Sequence, residues 1–524
     1  MIIESQRRRP WFYILAGLAA ILYFAPSFRV LSHERDEGTL IIGAVRVIEG
    51  QLPYRDFFEV MGPISFYWLA LFFKILGTTW QATRICVLIT TTATVVLLIF
   101  LARRLDSRHA VAPVIVYVAA CFQSWNTVTH HMNSNLAAFA SFAIFASYLD
   151  QPNPFKLFIC GAVTAVTAWI MLPKGLLLLA SFVPVLWTQR RTRPLVSKVA
   201  TLIGGFAVFS AAFLCAYWLE GGLADLLYAN WVWPLKHYSK VNSVPYGWHI
   251  QHYWWAFQSP TEPVFSQTPG FVVGTAFIIP LLVIIALPLI LAGCAARFRR
   301  AAFDRITLPY WLTGTALWLS EIHRADIIHI VYGSPLFILL AFYYIRRSDA
   351  VWATRGIVIV NVCASLLLLM VPLLSSLVAR YPYRTRRGII YDSAPRDPVL
   401  EYLNSHVAPN EPIFVYPYSP IYYFLSGAKN PTRYSILMYD INTNDQFREA
   451  VRTLEVAKVR YVVVDRSFMK FSETAFPAYH LPPPEQLIME PYLKEQYRPV
   501  DSPNKDFQIL KRKEVIGATE WKSQ

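Results

Sequence analysis

Long apolar runs recur along this chain from residue 11 to residue 378. The hydrocarbon core of a bilayer is about 30 Å thick, and a helix needs about 20 apolar residues to cross it. Lipid offers the backbone no hydrogen-bond partner, so only helices or closed barrels span it, and barrel strands are short alternating segments. Charged residues make up 15% of the chain, against about 25% in soluble proteins. The chain is therefore predicted to be a polytopic α-helical membrane protein.

The basic residues indicate which side of the membrane each loop occupies, because Lys and Arg are enriched in cytoplasmic loops. The net charge of +15 is concentrated in short loops between apolar runs, so we interpret it as a topology signal and expect no nucleic-acid partner. Arg7, Arg8 and Arg9 place the N-terminus in the cytoplasm. No small-residue cleavage site follows the first apolar run, which is therefore expected to be a retained span.

One apolar run, 63–77, is predicted to lie on the membrane surface. It has only about 15 residues, and counting it as a span would move the basic segment 103–108 to the external side. About eleven spans then put every strongly basic short loop on one side. They are expected at 11–31, 83–102, 110–128, 136–149, 155–172, 175–188, 199–218, 271–293, 306–320, 327–345 and 356–378.

The first external loop is rich in carboxylates, namely Glu34, Asp36, Glu37 and Glu59. A charge costs roughly 2.5–3.5 kcal/mol at mid-bilayer on insertion scales, so a chain that keeps acids beside its spans is expected to use some of them. Apolar residues recur at helical spacing from Leu40 to Ile48, which predicts an amphipathic interfacial helix. Gly50 and Pro53 are expected to end this helix.

The C-terminal part alternates helical and strand patterns. Helices are predicted at 398–405 and 444–458, and strands at 412–415, 459–465 and 507–511. We therefore divide the chain into a membrane region, 1–379, and a small external α/β domain, 380–524. All six cysteines lie in apolar runs without a CxxC pair, which predicts neither a disulfide framework nor a cysteine metal site.

With these assignments the unusual polar residues near membrane level all face the external side. They comprise the acids of the first loop, residues 130–135, Lys174, the aromatic loop 220–270, and residues 323–329. Convergence of separate loops on one face is what an active site requires. The spans themselves are nearly free of charge.

Several of these segments resemble the GT-C glycosyltransferases. Asp36-Glu37, residues 50–59 (GQLPYRDFFE) and residues 62–69 (GPISFYWL) resemble the first external loop of that class. The nearest groups are the lipid A aminoarabinose transferases and the protein O-mannosyltransferases with their bacterial relatives. Residues 171–175 (MLPKG) resemble a Lys-Gly pair at an external helix end in those enzymes. The similarity covers most of residues 11–345, and an external C-terminal domain is usual in the class.

The resemblance implies an inverting transfer of a sugar from a polyprenyl phosphate to a lipid, glycan or protein, on the external face of a bacterial-type inner membrane. Such a reaction needs a base for the acceptor hydroxyl and cations or dipoles for the departing phosphate. Asp36 is implied at the reacting centre, and Glu37 and Glu59 are expected to shape the site. The candidates for binding the phosphate or the substrate are Arg55, His131, Lys174, Arg324, Asp326 and His329.

Two positions depart from the pattern of the class. Met61 stands where many relatives have a lysine, which removes one candidate cation for the phosphate. Asn133-Ser134-Asn135 stands where relatives often have a second acid, which argues against a bound divalent metal. We therefore expect no metal and no other cofactor.

Simpler roles remain open for these residues and for the chain. Asp36 is also a residue type that caps helix N-termini, Glu37 is placed to complement the helix dipole, and Lys174 is placed to extend from a span end toward water. Arg324 and Asp326 are compatible with an ordinary ion pair. The alternative functions are a flippase or transporter of lipid-linked sugars and a non-catalytic envelope assembly protein.

Overall fold

The structure is a computed structural model that describes residues 10–31, 34–122, 124–188, 194–250, 270–347 and 352–513. Three features of the sequence lie outside the described residues. They are the N-terminal arginines 7–9, the arginines 190, 191 and 193 in the basic loop between the spans expected at 175–188 and 199–218, and residues 251–269 of the aromatic loop. Within the described part, the chain is mostly helical, and its sheets lie between residues 381 and 512. This agrees with the expected helical membrane protein that carries a small C-terminal sheet region.

The described part of the chain up to residue 378 is largely helical. In chain order its helices are α1 Pro10–Phe24, α2 Arg35–Ile48, α3 Ile64–Leu76, α4 Trp80–Leu105, α5 Val111–Ala120, α6 His130–Asp150, α7 Pro154–Ile170, α8 Leu172–Thr188, α9 Leu195–Leu219, α10 Leu223–Leu227, α11 Ser239–Asn242, α12 Gly270–Phe298, α13 Leu308–Glu321, α14 Ile327–Gly333, α15 Pro335–Arg347, α16 Trp352–Leu368 and α17 Met370–Val378.

Fewer helices are long enough to cross a membrane than the sequence suggested. Among the described residues, five helical segments are long and apolar enough to cross a membrane, or six if the bent pair α14 and α15 is one span. The expected count of eleven is therefore not confirmed. Helices α5, α7 and α8 are apolar but have only 10 to 17 residues. Seventeen helical residues rise about 25 Å, less than the roughly 30 Å of a bilayer core.

The segment expected as a single span at 327–345 is broken. Helices α14 and α15 meet at Ser334 and Pro335 with a bend of 68°. Proline has no backbone N–H and clashes with the preceding turn, so a new helix begins where the first one ends. The N-cap of α14 is Asp326, whose side chain accepts the backbone N–H of His329.

The first loop folds into the two expected helices, α2 and α3. Helix α2 ends before Gly50, whose φ of +85° is readily adopted only by glycine. Residues 37–44 of α2 are all buried, so this helix has no water-facing stripe over that stretch. Phe66 of α3 covers one face, and C-terminal residues cover the other, as at Gly38 and Ile421.

The C-terminal part is a small α/β unit. Its strands are β1 Tyr381–Thr385, β2 Gly388–Asp392, β3 Ile413–Tyr416, β4 Tyr461–Asp465, β5 Tyr497–Asp501 and β6 Phe507–Arg512. Its helices are α18 Pro398–His406, α19 Ile421–Ser426, α20 Asn444–Val456, α21 Phe468–Ala475 and α22 Met489–Gln496. Strands β1 and β2 form a hairpin, and the other four form a sheet in the order β3-β4-β6-β5. Within these four strands, only the β3–β4 pair is parallel.

The C-terminal unit and the first loop share their hydrophobic cores. One buried cluster contains Leu40 and Phe66 of the loop together with Leu400 and Val463 of the unit. Main-chain hydrogen bonds also join the two, from Phe58 N–H to the carbonyl of Arg433 (2.9 Å) and from Leu31 N–H to the carbonyl of Tyr391 (2.8 Å). The first loop is therefore held between the helical bundle and the C-terminal unit.

Candidate active site

Asp36 lies in the first turn of α2, at the rim where the helical bundle meets the C-terminal unit. Glu34, not Asp36, occupies the N-cap position, so the capping role considered for Asp36 is not what the structure has. The carboxylate of Asp36 is half-buried and accepts a hydrogen bond from the hydroxyl of Tyr418. Burial raises the pKa of Asp36 above its ordinary value, while the charges of His131 and Arg324 act in the opposite direction.

Glu37 points away from this rim into the protein. Its carboxylate is fully buried, forms an ion pair with Arg84 of α4 and accepts the N–H of Val128 at 2.8 Å. The guanidinium of Arg84 in turn lies over the ring of Trp80, 3.9 Å from its centroid. Glu37 thus connects α2, α4 and the segment before α6, and so fixes the direction in which Asp36 faces.

Glu59 and Arg55 lie on different sides of the first loop. Glu59 is buried, and burial raises its pKa to about 8, so it is largely protonated at neutral pH. Arg46 and Ser435 are its near polar neighbours, which places it at the contact with the C-terminal unit. The side chain of Arg55 is one-third exposed and pairs with Asp56 at 2.7 Å and with Glu220 at 3.9 Å. Its partners belong to the loop surface and not to the cluster around Asp36.

Lys174 is fully buried, and its ammonium group meets three acceptors. Its Nζ lies 2.6 Å from Oε1 of Glu321 and donates to Oγ of Ser134 (2.9 Å) and Oδ1 of Asn135 (2.8 Å). An ammonium has three N–H groups, so these acceptors use all of them. The other oxygen of Glu321 lies 3.0 Å from Nδ1 of His131.

Glu321 is the residue that sequence reasoning missed. It ends α13, one residue beyond the span expected at 306–320 and two residues before the polar segment 323–329. A signal was present, because an ionisable residue at the end of a membrane helix usually has a partner or a function, and Lys174 is a lone cation at a comparable span end. What the sequence did not reveal is that α8 and α13 are neighbours.

Arg324, Asp326 and His329 form a second buried group beside the first. Asp326 accepts from Nε of Arg324 through one oxygen (2.7 Å) and lies 2.7 Å from Nδ1 of His329 through the other. Burial by itself would raise the pKa of Asp326, but the charges and hydrogen bonds of His329 and Arg324 hold it well below its ordinary range. Arg324 also donates to Oδ1 of Asn242 at 2.6 Å.

The two groups meet through their imidazoles. The ring centroid of His131 lies 4.6 Å from that of His329, and the ring of Tyr332 stacks on His131 at 4.8 Å. The structure therefore brings together most of the residues that the sequence singled out at this rim. The assembled set is Asp36, His131, Lys174, Arg324, Asp326 and His329, joined by Glu321 and Tyr418.

A divalent metal has one conceivable position in the described part of the chain. One ligand atom from each of His131, Glu321 and His329 lies within 4.8 Å of the others, and imidazole with carboxylate suits several divalent ions. However, Lys174 already lies 2.6 Å from the carboxylate of Glu321 and supplies the positive charge there. The expectation of no metal stays a prediction.

The comparisons with known proteins point to one class. Residues 61–218 match the family model of the dolichyl-phosphate-mannose-protein mannosyltransferases. That segment includes His131 and Lys174 but neither Asp36 nor Glu321. No curated protein matches the chain by sequence.

Solved structures match over nearly the whole length. The chain is similar to ArnT from Cupriavidus metallidurans bound to undecaprenyl phosphate, with a TM-score of 0.56 and 12% identity over 96% of this chain and 98% of ArnT. It is also similar to the oligosaccharyltransferase AglB from Archaeoglobus fulgidus, in complex with an inhibitory peptide and a dolichol phosphate (TM-score 0.51, 11% identity, 94% of this chain and 73% of AglB). A third match is the mycobacterial arabinofuranosyltransferase AftD (TM-score 0.51, 14% identity, 96% of this chain and 40% of AftD).

Proposed function

We propose that this chain, which has the fold of the GT-C glycosyltransferases, transfers a sugar from a polyprenyl phosphate to an envelope acceptor. The observation that carries the proposal is the half-buried Asp36 at the rim, with His131 and Arg324 acting on its charge. The matched ArnT and AglB structures hold undecaprenyl phosphate and dolichol phosphate respectively, which supports a lipid-phosphate donor. The acceptor is a lipid, a glycan or a protein.

Asp36 serves as the general base in this proposal. The acceptor hydroxyl gives its proton to the carboxylate as its oxygen attacks the anomeric carbon, and the bond from that carbon to the phosphate oxygen breaks. The bonding electrons leave with the polyprenyl phosphate, and the configuration of the sugar inverts. A carboxylate whose pKa is raised by burial accepts a proton more readily than an exposed one, which favours this role.

The departing phosphate requires positive charge, which must come from individual groups because the cluster as a whole carries no net positive charge while its imidazoles are neutral. Lys174 and Arg324 offset Glu321 and Asp326, so Asp36 leaves one net negative charge if the imidazoles are neutral. Because all three N–H groups of Lys174 are engaged, we assign contact with the phosphate to Arg324 and to the imidazoles of His131 and His329. Lys174 then acts indirectly, by holding Glu321 against His131.

A small apolar pocket lies beside this cluster; its empty volume is about 270 Å³ including the open mouth, so it would hold at most part of a prenyl chain. Its walls come from α5, α12 and α14 and include Ala120, Leu281, Ile327 and Val331. Tyr332 also lines it and stacks on His131, so the pocket borders the polar cluster. A lipid chain bound there would bring its phosphate toward the cationic groups.

The sides of the membrane follow from the same proposal. The rim and the C-terminal unit, 380–524, face the outside of a bacterial-type inner membrane, and the N-terminus faces the cytoplasm. The basic loops of the sequence support this orientation, because short cytoplasmic loops are enriched in Lys and Arg. A donor carried on an undecaprenyl chain would then be used on the external leaflet.

The test is a comparison of the envelopes of cells that carry the parent chain or the Asp36→Asn variant. Mass spectrometry of glycolipids and glycoproteins should detect a sugar modification in the parent that falls at least about 100-fold in the variant, since general-base catalysis contributes a factor of about 10²–10⁴. Glu49→Gln is the matched control, because Glu49 follows the same helix but is exposed and pairs with Lys429 at 3.4 Å, away from the rim.

Two outcomes would contradict the proposal. One is an Asp36→Asn variant that is made in normal amounts and modifies the envelope as the parent does. The other is movement of a lipid-linked sugar across the membrane without any covalent product, which would identify a flippase instead.

A further inference from the structure

The C-terminal unit meets the candidate active site through the carboxyl edge of its parallel strand pair. Strands β3 and β4 run side by side and in the same direction, and end at Tyr416 and Asp465. The segments that follow them, 417–420 and 466–467, therefore leave the sheet at the same edge. In open α/β sheets this edge is where ligands are usually bound. Here the N-terminal turn of α2 lies against it.

Arg35, the residue next to Asp36, inserts its side chain at this edge of the sheet. Its guanidinium pairs with the buried carboxylate of Asp465 and donates to Oγ of Ser419 (3.1 Å) and Oγ of Ser467 (3.0 Å). It also donates to the carbonyl oxygen of Tyr418. Both serine hydroxyls in turn donate to Asp465 at 2.6 Å. The segment 417–420 is thus tied to the residue that precedes Asp36.

A second contact fixes the distance between the two elements. A Cβ atom on Gly38 of α2 would lie 2.6 Å from the backbone nitrogen of Ile421, at the start of α19. Only glycine permits such a close approach of two backbones. Arg35 and Gly38 therefore hold the segment 417–420 on both sides of Asp36.

We propose that Tyr418, on this segment of the C-terminal unit, is a positioning residue for sugar transfer. Its side chain is buried, and its hydroxyl donates to Oδ1 of Asp36 across 382 positions of sequence. The hydrogen bond orients the carboxylate so that Oδ2 receives the acceptor proton. This inference rests on the proposed function, in which Asp36 is the base.

Loss of this hydrogen bond should change the pH dependence of the transfer rate in one direction only. A donor to the ionised carboxylate favours the charged form, so removing it raises the pKa of Asp36. Because the base must be unprotonated to work, the acidic limb of the rate profile then moves to higher pH. The parent and the variant have the same other titratable or charged groups around Asp36. Glu34, Glu59, His131, Tyr238 and Arg324 interact with Asp36, and Arg35 and Glu37 interact with Glu34.

Tyr418→Phe tests the inference, with Tyr416→Phe as its matched control. Tyr416 lies two residues earlier, and its hydroxyl also donates to a carboxylate, that of Glu490 at 2.6 Å. The readout is the release of free undecaprenyl phosphate by the purified full chain, measured across pH. The donors are undecaprenyl phosphate mannose, glucose and aminoarabinose, with envelope extract as acceptor.

We expect Tyr418→Phe to lower kcat by about tenfold and to move the acidic limb up by about one pH unit, because the ionised carboxylate loses a hydrogen bond that favours its charged form. The limb of Tyr416→Phe should coincide with that of the parent. Replacing Tyr418 by 3,5-difluorotyrosine, a stronger donor of the same shape, should move the limb the opposite way. This second replacement keeps the inference testable if the phenylalanine variant does not fold.

The results separate the inference from the function on which it rests. An active parent whose acidic limb is unmoved by either replacement at position 418 overturns the positioning role. An equal shift in Tyr416→Phe also overturns it, since the effect would then be structural. If the parent releases no undecaprenyl phosphate from any donor, the proposed function itself is contradicted.

Discussion

At the scale of single residues, Lys174 and Glu321 define the electrostatics of the site. Both side chains are almost completely shielded from solvent, and each supplies the other's counter-charge. A buried ion pair contributes little net stability, because desolvation offsets the attraction, but loss of one partner leaves an uncompensated buried charge. Lys174 was expected to be a phosphate ligand, and that role stays a prediction; in the structure its ammonium group lies against three acceptors inside the protein.

Removal of only one of these partners should therefore be destabilising. We expect Lys174→Met to cost about 3–5 kcal/mol, and Lys174→Met combined with Glu321→Leu to recover most of that loss. Thermal unfolding of the protein in detergent measures both changes. If Lys174 instead contacts the phosphate directly, the single variant would keep its stability and lose only donor binding.

At the scale of elements, small residues set the distance between helices. Gly161 of α7 and Gly205 of α9 face each other's backbones, and a Cβ atom on Gly205 would lie 1.9 Å from the carbonyl oxygen of Phe158. Without a strong hydrophobic force between helices in lipid, such close packing is a main source of their association. The α7–α9 pair supports the start of α8, which carries Lys174.

Neighbouring glycines provide a controlled test of this packing. Gly205→Ala should separate α7 from α9 and destabilise the protein by about 1–3 kcal/mol, as overpacking does. Gly204→Ala is the control, because a Cβ atom on Gly204 meets nothing within 4 Å and alanine favours a helix. Thermal unfolding of both variants in the same detergent gives the comparison. Equal unfolding temperatures would show that the two helices do not pack as described.

At the scale of the whole molecule, the C-terminal unit packs against the candidate active site. It covers α2, contributes Tyr418, and shares buried clusters with the first loop. Leu40 and Ile41 of α2 belong to a buried cluster that also contains residues of this unit. The division at residue 379 therefore marks a change of composition more than a separation in space.

This arrangement predicts the behaviour of the chain when it is cut. Residues 1–379 and 380–524, produced together as two pieces, should co-purify because they bury a common apolar core. Arg35→Ala should reduce the recovery of the smaller piece, since Arg35 joins four groups of that piece. Arg396→Ala serves as the control, because Arg396 pairs with Glu401 on an exposed surface of the same piece. Two pieces that purify separately would contradict a shared core.

Much of the architecture could be predicted from local patterns. The strands expected at 412–415, 459–465 and 507–511 appear as β3, β4 and β6, and the loop helices α2 and α3 lie where the apolar spacing predicted them. The number of spans could not be predicted in the same way. Apolar length alone does not reveal that α14 and α15 are broken at Pro335 or that α5 is only 10 residues long.

The sequence by itself determined that this is a helical membrane protein with an acidic first loop and a small α/β unit, because apolar length, periodicity and charge are properties of neighbouring residues. Only the tertiary structure determined which carboxylates are buried and which partner each one has. It buried Glu37 on Arg84, paired Glu321 with Lys174, and left Asp36 at the rim under the hydroxyl of Tyr418. Those contacts join residues 47 to 382 positions apart, and their burial and charge depend on how the helices pack.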